Sequence, residues 1–331
     1  MLKIALLDDY AHVALECADW ERLKGKAEIT IFHEHLSQAE AAEALKPFDV
    51  LCTIRERMAL PRTLIERLPN LKLITIVGLR LTNLDLEAAS ERGVIVAHSG
   101  TRNPAFANVA NATPELAWGL VIATARQLAR QDRRMRAGLW QDAVGMILAG
   151  RTLGLLGLGR IGKRMAHYGQ AFGMDVIAWS QNLTAEAAGA VGVMRVEKDE
   201  LFARADVVSI HVVLSERTRG LVTARELGLM KPSAFLINTS RGPIVVEADL
   251  IAALRAGAIA GAGLDVFDQE PPPPDHPLRS LDNVTLTPHL GYATRETLEA
   301  FYSDSLDAIA AFADGAPIRV SNPEALEHRR A

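Results

Sequence analysis

Three residues in the last third of the chain have the types needed for proton transfer to a bound anion: Arg241, Glu270 and His289. His289 can give or take a proton because an imidazole titrates near neutral pH. Glu270 is the candidate carboxylate that would fix the tautomer of His289 and favour its protonated form. Arg241 carries a planar guanidinium that matches a carboxylate with two hydrogen bonds. This set predicts the chemistry that hydride reduction of a 2-keto acid requires: a proton donor, a group that keeps it protonated, and a cation for the substrate.

Five separate apolar segments in the second half of the chain have polar side chains at their carboxyl ends, after the segment in four cases and, for Asp265, within it. In an open parallel sheet, ligands lie outside the carboxyl ends of the strands, so these positions are the first candidates for a site. The residues there are Ser180, His211, Thr239, Ser240, Arg241, Asp265 and His289. Taken singly, Asp265 could equally cap a turn, His211 could be a half-buried structural histidine, and Glu270 could be solvated surface. Their collection at one edge favours a binding and catalytic site.

A glycine-rich motif begins directly after the apolar segment 153–156 and opens a helical pattern. Its sequence is Gly157-Leu158-Gly159-Arg160-Ile161-Gly162. Gly157 permits a tight turn, Gly159 lets the backbone approach a pyrophosphate, and Gly162 allows close packing of helix on strand. The amide groups that open the helix would then face the anion. The motif predicts a dinucleotide site, and a glycine-rich turn without a ligand is the alternative.

The cofactor choice depends on Ser180, which follows the predicted strand 176–179. An acidic residue in this position normally binds the ribose 2′-hydroxyl of NAD and disfavours the 2′-phosphate of NADP. Serine disfavours the phosphate less, yet no arginine or lysine stands in the next three positions to attract one. We therefore predict NAD as the cofactor and leave NADP open.

Alternating apolar and helical patterns predict the elements that position these residues. The predicted strands of the first hundred residues are 2–7, 28–32, 50–54, 71–77 and 94–97. Those of the second series are 153–156, 176–179, 207–210, 235–237, 263–266 and 284–286. Such alternation is typical of an α/β fold with parallel sheets, and continuously apolar strands are typical of sheets buried on both faces.

We predict two doubly wound, Rossmann-like domains with parallel sheets, of which the first is discontinuous. Residues 1–99 with 295–331 would form the substrate-binding domain, and residues 100–294 the NAD(P)-binding domain. A single long helix over 114–137, with Thr113 as its N-cap, would connect them.

Composition excludes several functional classes. The chain has 331 residues, 49% of them hydrophobic, and a formal net charge of -4, which offers no broad cationic surface to nucleic acid or anionic lipid. The N-terminal apolar run is too short for a signal peptide, and no segment has the roughly 18 apolar residues of a membrane span. The two cysteines, Cys17 and Cys52, have neither metal-ligand nor disulfide-framework spacing. We expect a cytoplasmic enzyme without a metal, a nucleic-acid partner or a membrane anchor.

Four ordered motifs resemble the D-isomer-specific 2-hydroxyacid dehydrogenases over nearly the whole chain. They are the glycine motif, Asn238-Thr239-Ser240-Arg241-Gly242, Gly263-Leu264-Asp265-Val266-Phe267 with Glu270-Pro271, and Thr287-Pro288-His289. The resemblance implies reversible hydride transfer between NAD and C2 of a small 2-hydroxy or 2-keto acid, with Arg241, Glu270 and His289 as the catalytic set. Glyoxylate, hydroxypyruvate and phosphoglycerate-like acids are the candidate substrates. The alternative is a dinucleotide-sensing interaction protein on the same fold, similar to the corepressor-like members of the family.

The resemblance also implies further contacts with ligands and with a second subunit. Thr218 and Gly291 join the glycine motif and the strand-end residues in the cofactor set. The residues implied for the substrate are Arg55, Gly78, Leu79, Arg241 and His289. The family's substrate loop usually has two glycines, whereas Gly78-Leu79-Arg80 keeps only the first, which leaves the substrate open. The region of Trp118 and Trp140 resembles the family's dimerisation region and implies a homodimer, with an ordinary core face as the alternative.

Overall fold

The computed structural model describes residues 1–55, 57–77, 83–99 and 104–328, and for residues 104–107 it describes the backbone alone. The predicted substrate-loop residues Gly78 and Leu79, and with them Arg80, lie outside the described residues. The chain divides into two compact units: unit 1 is Met1–Val109 with Thr294–Ala331, and unit 2 is Ala110–Ala293. The functional assignment of the predicted domains, 1–99 with 295–331 and 100–294, stays a prediction.

Unit 1 contains, among its described residues, five parallel strands separated by short helices. The strands are β1 (Leu2–Leu6), β2 (Ala27–Ile31), β3 (Val50–Thr53), β4 (Leu73–Ile76) and β5 (Ile95–His98). The helices between them are α1 (Gln38–Ala44), α2 (Arg62–Ile65) and α3 (Leu86–Glu91). The strand order is β2-β1-β3-β4-β5. Every residue of β3 and β4 is buried, as their apolar sequences require.

Unit 2 contains, among its described residues, seven parallel strands and the helices that cover both faces of their sheet. Two helices come first, α4 (Ala112–Ala125) and α5 (Leu128–Arg136). The strands are β6 (Thr152–Leu156), β7 (Asp175–Trp179), β8 (Met194–Arg195), β9 (Val207–Ile210), β10 (Phe235–Asn238), β11 (Gly261–Leu264) and β12 (Val284–Leu286). The remaining helices are α6 (Arg160–Ala171), α7 (Ala185–Gly189), α8 (Lys198–Arg204), α9 (Ala224–Leu229) and α10 (Glu247–Arg255). The predicted α/β class with two parallel sheets is confirmed.

The strand order of unit 2 is β12-β11-β10-β9-β6-β7-β8. The direction of winding reverses at β6, because β7 lies on one side of it and β9 on the other. In such sheets the crevice outside the carboxyl ends of the two strands at the reversal binds the ligand. The carboxyl ends of β6 and β9 therefore mark the expected place of a dinucleotide.

The predicted single helix over 114–137 is wrong. Asn111 precedes α4 as its N-cap, α4 ends at Ala125, and Gln127 adopts a left-handed φ of +52° before α5 begins. The helix ends where its packing against the sheet ends. The helix α4 packs against β10, β11 and β12 with a buried face, whereas α5 has no buried residue. The chain also folds back here, since the N–H of Met146 donates to the Ala125 carbonyl at 2.8 Å.

The last long helix, α11 (Arg295–Ala313), belongs to unit 1 and packs against β4 and β5. It begins at Thr294, whose hydroxyl oxygen accepts the N–H of Thr297. Such a cap satisfies one of the amide groups left unpaired at a helix start. In the part of the chain that the structure describes, no helix combines the length and the apolar character needed to cross a membrane.

Candidate active site

His289 lies just beyond β12, and its ring pairs with Glu270. The Nδ1 atom of His289 and the Oε2 atom of Glu270 are 2.6 Å apart. The two side chains are 20% and 34% exposed, so a ligand can reach the pair. The ring of Tyr292 meets the His289 ring at 70° with centroids 5.7 Å apart. Nε2 of His289 makes no hydrogen bond within the described residues, which leaves this nitrogen for a ligand.

The turn that carries His289 is held by the buried Asp265. His289 has a φ of +53°, a left-handed conformation that is uncommon for a residue with a side chain. Its N–H donates to the carbonyl oxygen of Asp265 at 2.9 Å. The Asp265 carboxylate, 0% exposed, accepts the N–H groups of Leu290 at 2.7 Å and Gly291 at 2.8 Å. It also accepts the hydroxyl of Thr287 at 2.6 Å.

Burial raises the pKa of the Asp265 carboxyl above its ordinary value, while the hydrogen bond from Thr287 opposes this shift. A buried carboxylate is costly unless its oxygens are paired, and here both are. Asp265 therefore orients the backbone on either side of His289.

Arg241 follows β10, and its neighbour Gly242 packs against the segment that leads to Glu270. A Cβ on Gly242 would lie 2.1 Å from the carbonyl carbon of Phe267, so this close approach requires glycine. The N–H of Phe267 in turn donates to Oε1 of Glu270 at 2.9 Å. Arg241, Glu270 and His289 thus follow three neighbouring strands, β10, β11 and β12.

The glycine motif lies at the reversal between β6 and β9. A Cβ on Gly157, which has a φ of +109°, would lie 2.8 Å from the carbonyl carbon of His211. A Cβ on Gly162 would lie 2.1 Å from the carbonyl oxygen of Gly157, so the first turn of α6 packs directly on the loop. Nε2 of His211 lies 2.8 Å from the Ser209 hydroxyl, and burial lowers the pKa of His211 to about 3. The neutral His211 thus supports the loop from the end of β9.

Three features of this loop and its surroundings fit a dinucleotide. A Cβ on Gly159 would meet none of the described atoms within 4 Å, so the space in front of α6 is open. No side chain caps α6, so the amide groups of Arg160 and Ile161 remain for an anion. The hydroxyl oxygen of Thr239, at the end of β10, is buried and has no hydrogen-bond partner among the described residues. Native proteins rarely leave such an atom unpaired, and a bound cofactor would satisfy it.

The other predicted cofactor residues lie at turns after the strands of unit 2. Ser180 directly follows β7, and its carbonyl oxygen accepts the N–H of Leu183 at 3.0 Å. The hydroxyl of Thr218 donates to the Val213 carbonyl at 2.6 Å, and that of Ser240 donates to the Val212 carbonyl. Cofactor contacts stay predictions for Ser180, His211, Thr218, Thr239, Ser240, Arg241, Asp265, His289 and Gly291.

In unit 1, Arg55 follows β3 and has a left-handed φ of +51°. Its contact with substrate stays a prediction. Over the described ranges, no cluster of three or more His, Cys, Asp or Glu side chains is arranged to hold a metal ion.

Comparison with known proteins decides the family. A family model described as "D-isomer specific 2-hydroxyacid dehydrogenase, NAD binding domain" matches residues 118–291, just over half of the chain. The chain belongs to the D-isomer-specific 2-hydroxyacid dehydrogenase family. This dehydrogenase is 37% identical over 305 residues to a glyoxylate reductase of Aeropyrum pernix. The match covers 89% of this chain and 87% of that protein.

Two further relatives agree with this membership. The dehydrogenase is 38% identical over 268 residues to a D-3-phosphoglycerate dehydrogenase of Methanocaldococcus jannaschii, a match that covers 80% of this chain and 50% of that relative's length. The crystal structure of a putative D-3-phosphoglycerate dehydrogenase oxidoreductase from Ralstonia solanacearum has a TM-score of 0.90 at 34% identity, covering 98% of each chain. The predicted family and the predicted NAD cofactor are confirmed, and the dehydrogenase is an NAD-dependent oxidoreductase acting on CH–OH donors.

Tyr292 is absent from the predicted site of the dehydrogenase, although its ring packs edge-on against His289. The signal in the sequence is an aromatic residue three positions after the histidine. This signal is weak, because a tyrosine at a strand end is as often part of a core.

Two alanine substitutions in the glycine motif should separate cofactor binding from folding. Gly162→Ala places a methyl group 2.1 Å from a carbonyl oxygen, and we expect it to lower the free energy of unfolding by at least about 2 kcal/mol. Gly159→Ala adds a methyl group in open space, so Tm should stay unchanged while the dissociation constant of NADH rises on the order of tenfold. Thermal unfolding and NADH fluorescence titration measure the two effects. Equal loss of Tm in both variants would contradict the open space at Gly159.

Proposed function

We propose that this dehydrogenase reversibly reduces small 2-keto acids, with glyoxylate and hydroxypyruvate as its first candidates and phosphoglycerate-like acids as the next. The main observation behind the proposal is the 2.6 Å contact between His289 Nδ1 and Glu270 Oε2. Glu270 follows β11, and Arg241 follows the neighbouring strand β10. The names of the relatives, a glyoxylate reductase and a D-3-phosphoglycerate dehydrogenase, support this class of substrate.

Each residue of the set has a separate part in the mechanism. Arg241 binds the substrate carboxylate with two parallel hydrogen bonds from its guanidinium group and so orients C2. The glycine loop, the start of α6 and Thr239 would hold the nicotinamide dinucleotide, which when bound would supply the hydride to C2 in reduction and take it up in oxidation. His289 donates the proton on Nε2 to the developing alkoxide, while the Glu270 carboxylate accepts a hydrogen bond from the Nδ1–H group and stabilises the charged ring. In the oxidative direction, neutral His289 takes the hydroxyl proton through Nε2.

Oxidation of NADH and NADPH against a panel of 2-keto acids tests the proposal. The panel contains glyoxylate, hydroxypyruvate, 3-phosphohydroxypyruvate, pyruvate and longer 2-keto acids. We expect the fastest turnover with NADH and one of the first two acids. A clear preference for 3-phosphohydroxypyruvate would move the substrate to the phosphoglycerate-like class. NADH binding without turnover of any acid would overturn the proposal in favour of a dinucleotide-sensing protein.

We further propose that the dehydrogenase is a homodimer whose interface includes the arm, defined as residues 128–147. Six large apolar side chains of the arm are at least half exposed: Leu128, Met135, Leu139, Trp140, Val144 and Ile147. So many exposed apolar groups in one short segment are typical of a surface that a partner covers. Trp118, by contrast, is 8% exposed and packs against Phe172, so the core alternative applies to it. The cytoplasmic location stays a prediction.

Replacing Trp140 should weaken the dimer. Trp140 is 75% exposed in one chain, and a tryptophan covered at an interface contributes at least about 2 kcal/mol. We expect Trp140→Ala to raise the dimer dissociation constant roughly 30-fold in sedimentation velocity. Leu15→Ala, at an exposed leucine of unit 1, is the control and should leave it unchanged. A wild-type chain that sediments as a monomer would refute the dimer.

A further inference from the structure

The segment that carries Glu270 is exposed and lacks the support of a core. This Glu270 loop, defined as residues 268–276, follows β11 and the buried Phe267. Its residues from 268 to 271 are all exposed. A loop with so little burial does not hold a catalytic side chain in one position by packing. Its order must come from hydrogen bonds.

One carboxylate, that of Glu247, accepts hydrogen bonds from both ends of the Glu270 loop. At the start of the loop, the N–H of Asp268 donates to Glu247 Oε2 at 3.4 Å. At its end, Nε2 of His276 lies 2.9 Å from Glu247 Oε1. Glu247 and His276 are 20% and 11% exposed, so water screens this contact much less than a surface ion pair. Glu247 is the first residue of α10, which fixes its backbone.

The other contacts of His276 define its role as a donor. The N–H of Leu278 donates to His276 Nδ1 at 3.4 Å, which leaves the ring proton on Nε2, the nitrogen that faces Glu247. The His276 ring also meets the buried Phe267 ring at 72°, with centroids 6.4 Å apart. His276 therefore joins the end of the Glu270 loop both to its start and to α10.

The segment 241–247 connects this arrangement to the substrate anchor. Its Gly242 backbone packs against the backbone of Phe267 and Asp268, and its Glu247 carboxylate binds both ends of the Glu270 loop. Arg241 stands at the beginning of the same segment. The segment 241–247 therefore contributes to the positions of both Arg241 and Glu270.

From this geometry we infer that Glu247, acting through Asp268 and His276, is a positioning residue that orients Glu270 toward His289. The inference rests on the proposed function, because it matters for catalysis only if Glu270 supports proton transfer by His289. Glu247 itself touches neither member of the catalytic pair, and its effect runs through the loop.

A double-mutant cycle between Glu247 and Glu270 tests this inference. In the otherwise unchanged enzyme, Glu247→Ala should lower kcat on the order of tenfold, because small displacements of catalytic groups are costly, and leave the NADH dissociation constant unchanged. In the Glu270→Ala background it should lower kcat less than about twofold, since no oriented carboxylate remains to be lost. Glu247→Gln keeps one acceptor oxygen, and we expect an intermediate kcat. Asp249→Asn, in the same helical turn but bonded to the N–H of Ala224, is the matched control and should leave kcat unchanged.

The possible failures are distinguishable. If Glu270→Ala alone leaves kcat unchanged, the proposed catalytic role of Glu270 is wrong. If Glu270→Ala lowers kcat but Glu247→Ala lowers it equally in both backgrounds, Glu247 supports only the fold and the inference is overturned. Should Glu247→Ala not fold, as circular dichroism would show, the same cycle with Glu247→Gln decides between these outcomes.

Discussion

Replacing His289 with alanine should lower kcat/KM for 2-keto acid reduction on the order of 10²- to 10⁴-fold, the usual contribution of a positioned acid or base. The alkoxide that develops at C2 would then take its proton from water. NADH should still bind, because the open loop at Gly159 and the start of α6 follow β6, whereas His289 follows β12. Steady-state rates and NADH fluorescence titration on the same preparation measure both quantities.

The control for this substitution is His167→Ala, at an exposed histidine of α6. It should leave the rate unchanged. A His289→Ala variant that binds NADH and keeps the wild-type rate would show that another group donates the proton.

Arg241→Lys should lower kcat/KM on the order of 10²- to 10³-fold, the range for loss of one preorganised hydrogen-bond donor in an active site. Lysine keeps the positive charge but loses the planar pair of donors that binds a carboxylate. We therefore expect KM for the 2-keto acid to rise and kcat to fall, since C2 is no longer held in one orientation. Stopped-flow reduction and steady-state kinetics separate the two effects.

Arg204→Lys is the matched control, because Arg204 pairs only with Glu200 and Met194 on the surface among the described residues. It should change neither kcat nor KM. If Arg241→Lys raises the NADH dissociation constant and leaves KM for the keto acid unchanged, Arg241 acts on the cofactor and the substrate anchor must be sought elsewhere.

Much of the fold could be predicted because its signals are local. Continuous apolar runs marked the buried strands of unit 2, and several of these runs are directly followed by a polar residue, such as Ser180 after 176–179 and His211 after 207–210. The helix over 114–137 shows the limit of such reasoning. Its residues favour a helix throughout, but only α4 packs on the sheet, α5 has no buried residue, and Gln127 between them adopts a left-handed conformation. That boundary depends on packing between elements, which local propensity does not contain.

The candidate site divides in the same way. Residue type together with position after predicted strands indicated Arg241, Glu270 and His289, and the glycine spacing together with the strand before it and the helix after it indicated the dinucleotide loop. The 2.6 Å contact between His289 and Glu270, nineteen residues apart in sequence, exists because β11 and β12 are neighbours in the sheet. Sequence separation carries no information about that adjacency.

The amino-acid sequence alone predicted the class of chemistry and the order of its parts along the chain, because these depend on residue types and on patterns within single elements. Which of these parts lie next to each other could be read only from the fold. It directed both oxygens of Asp265 to the turn of His289, and it joined Glu247 and His276, 29 residues apart, around the Glu270 loop. It buried Trp118 and exposed Trp140. The physical reason is that burial and hydrogen-bond pairing are properties of neighbours in space, and parallel strands place distant segments side by side.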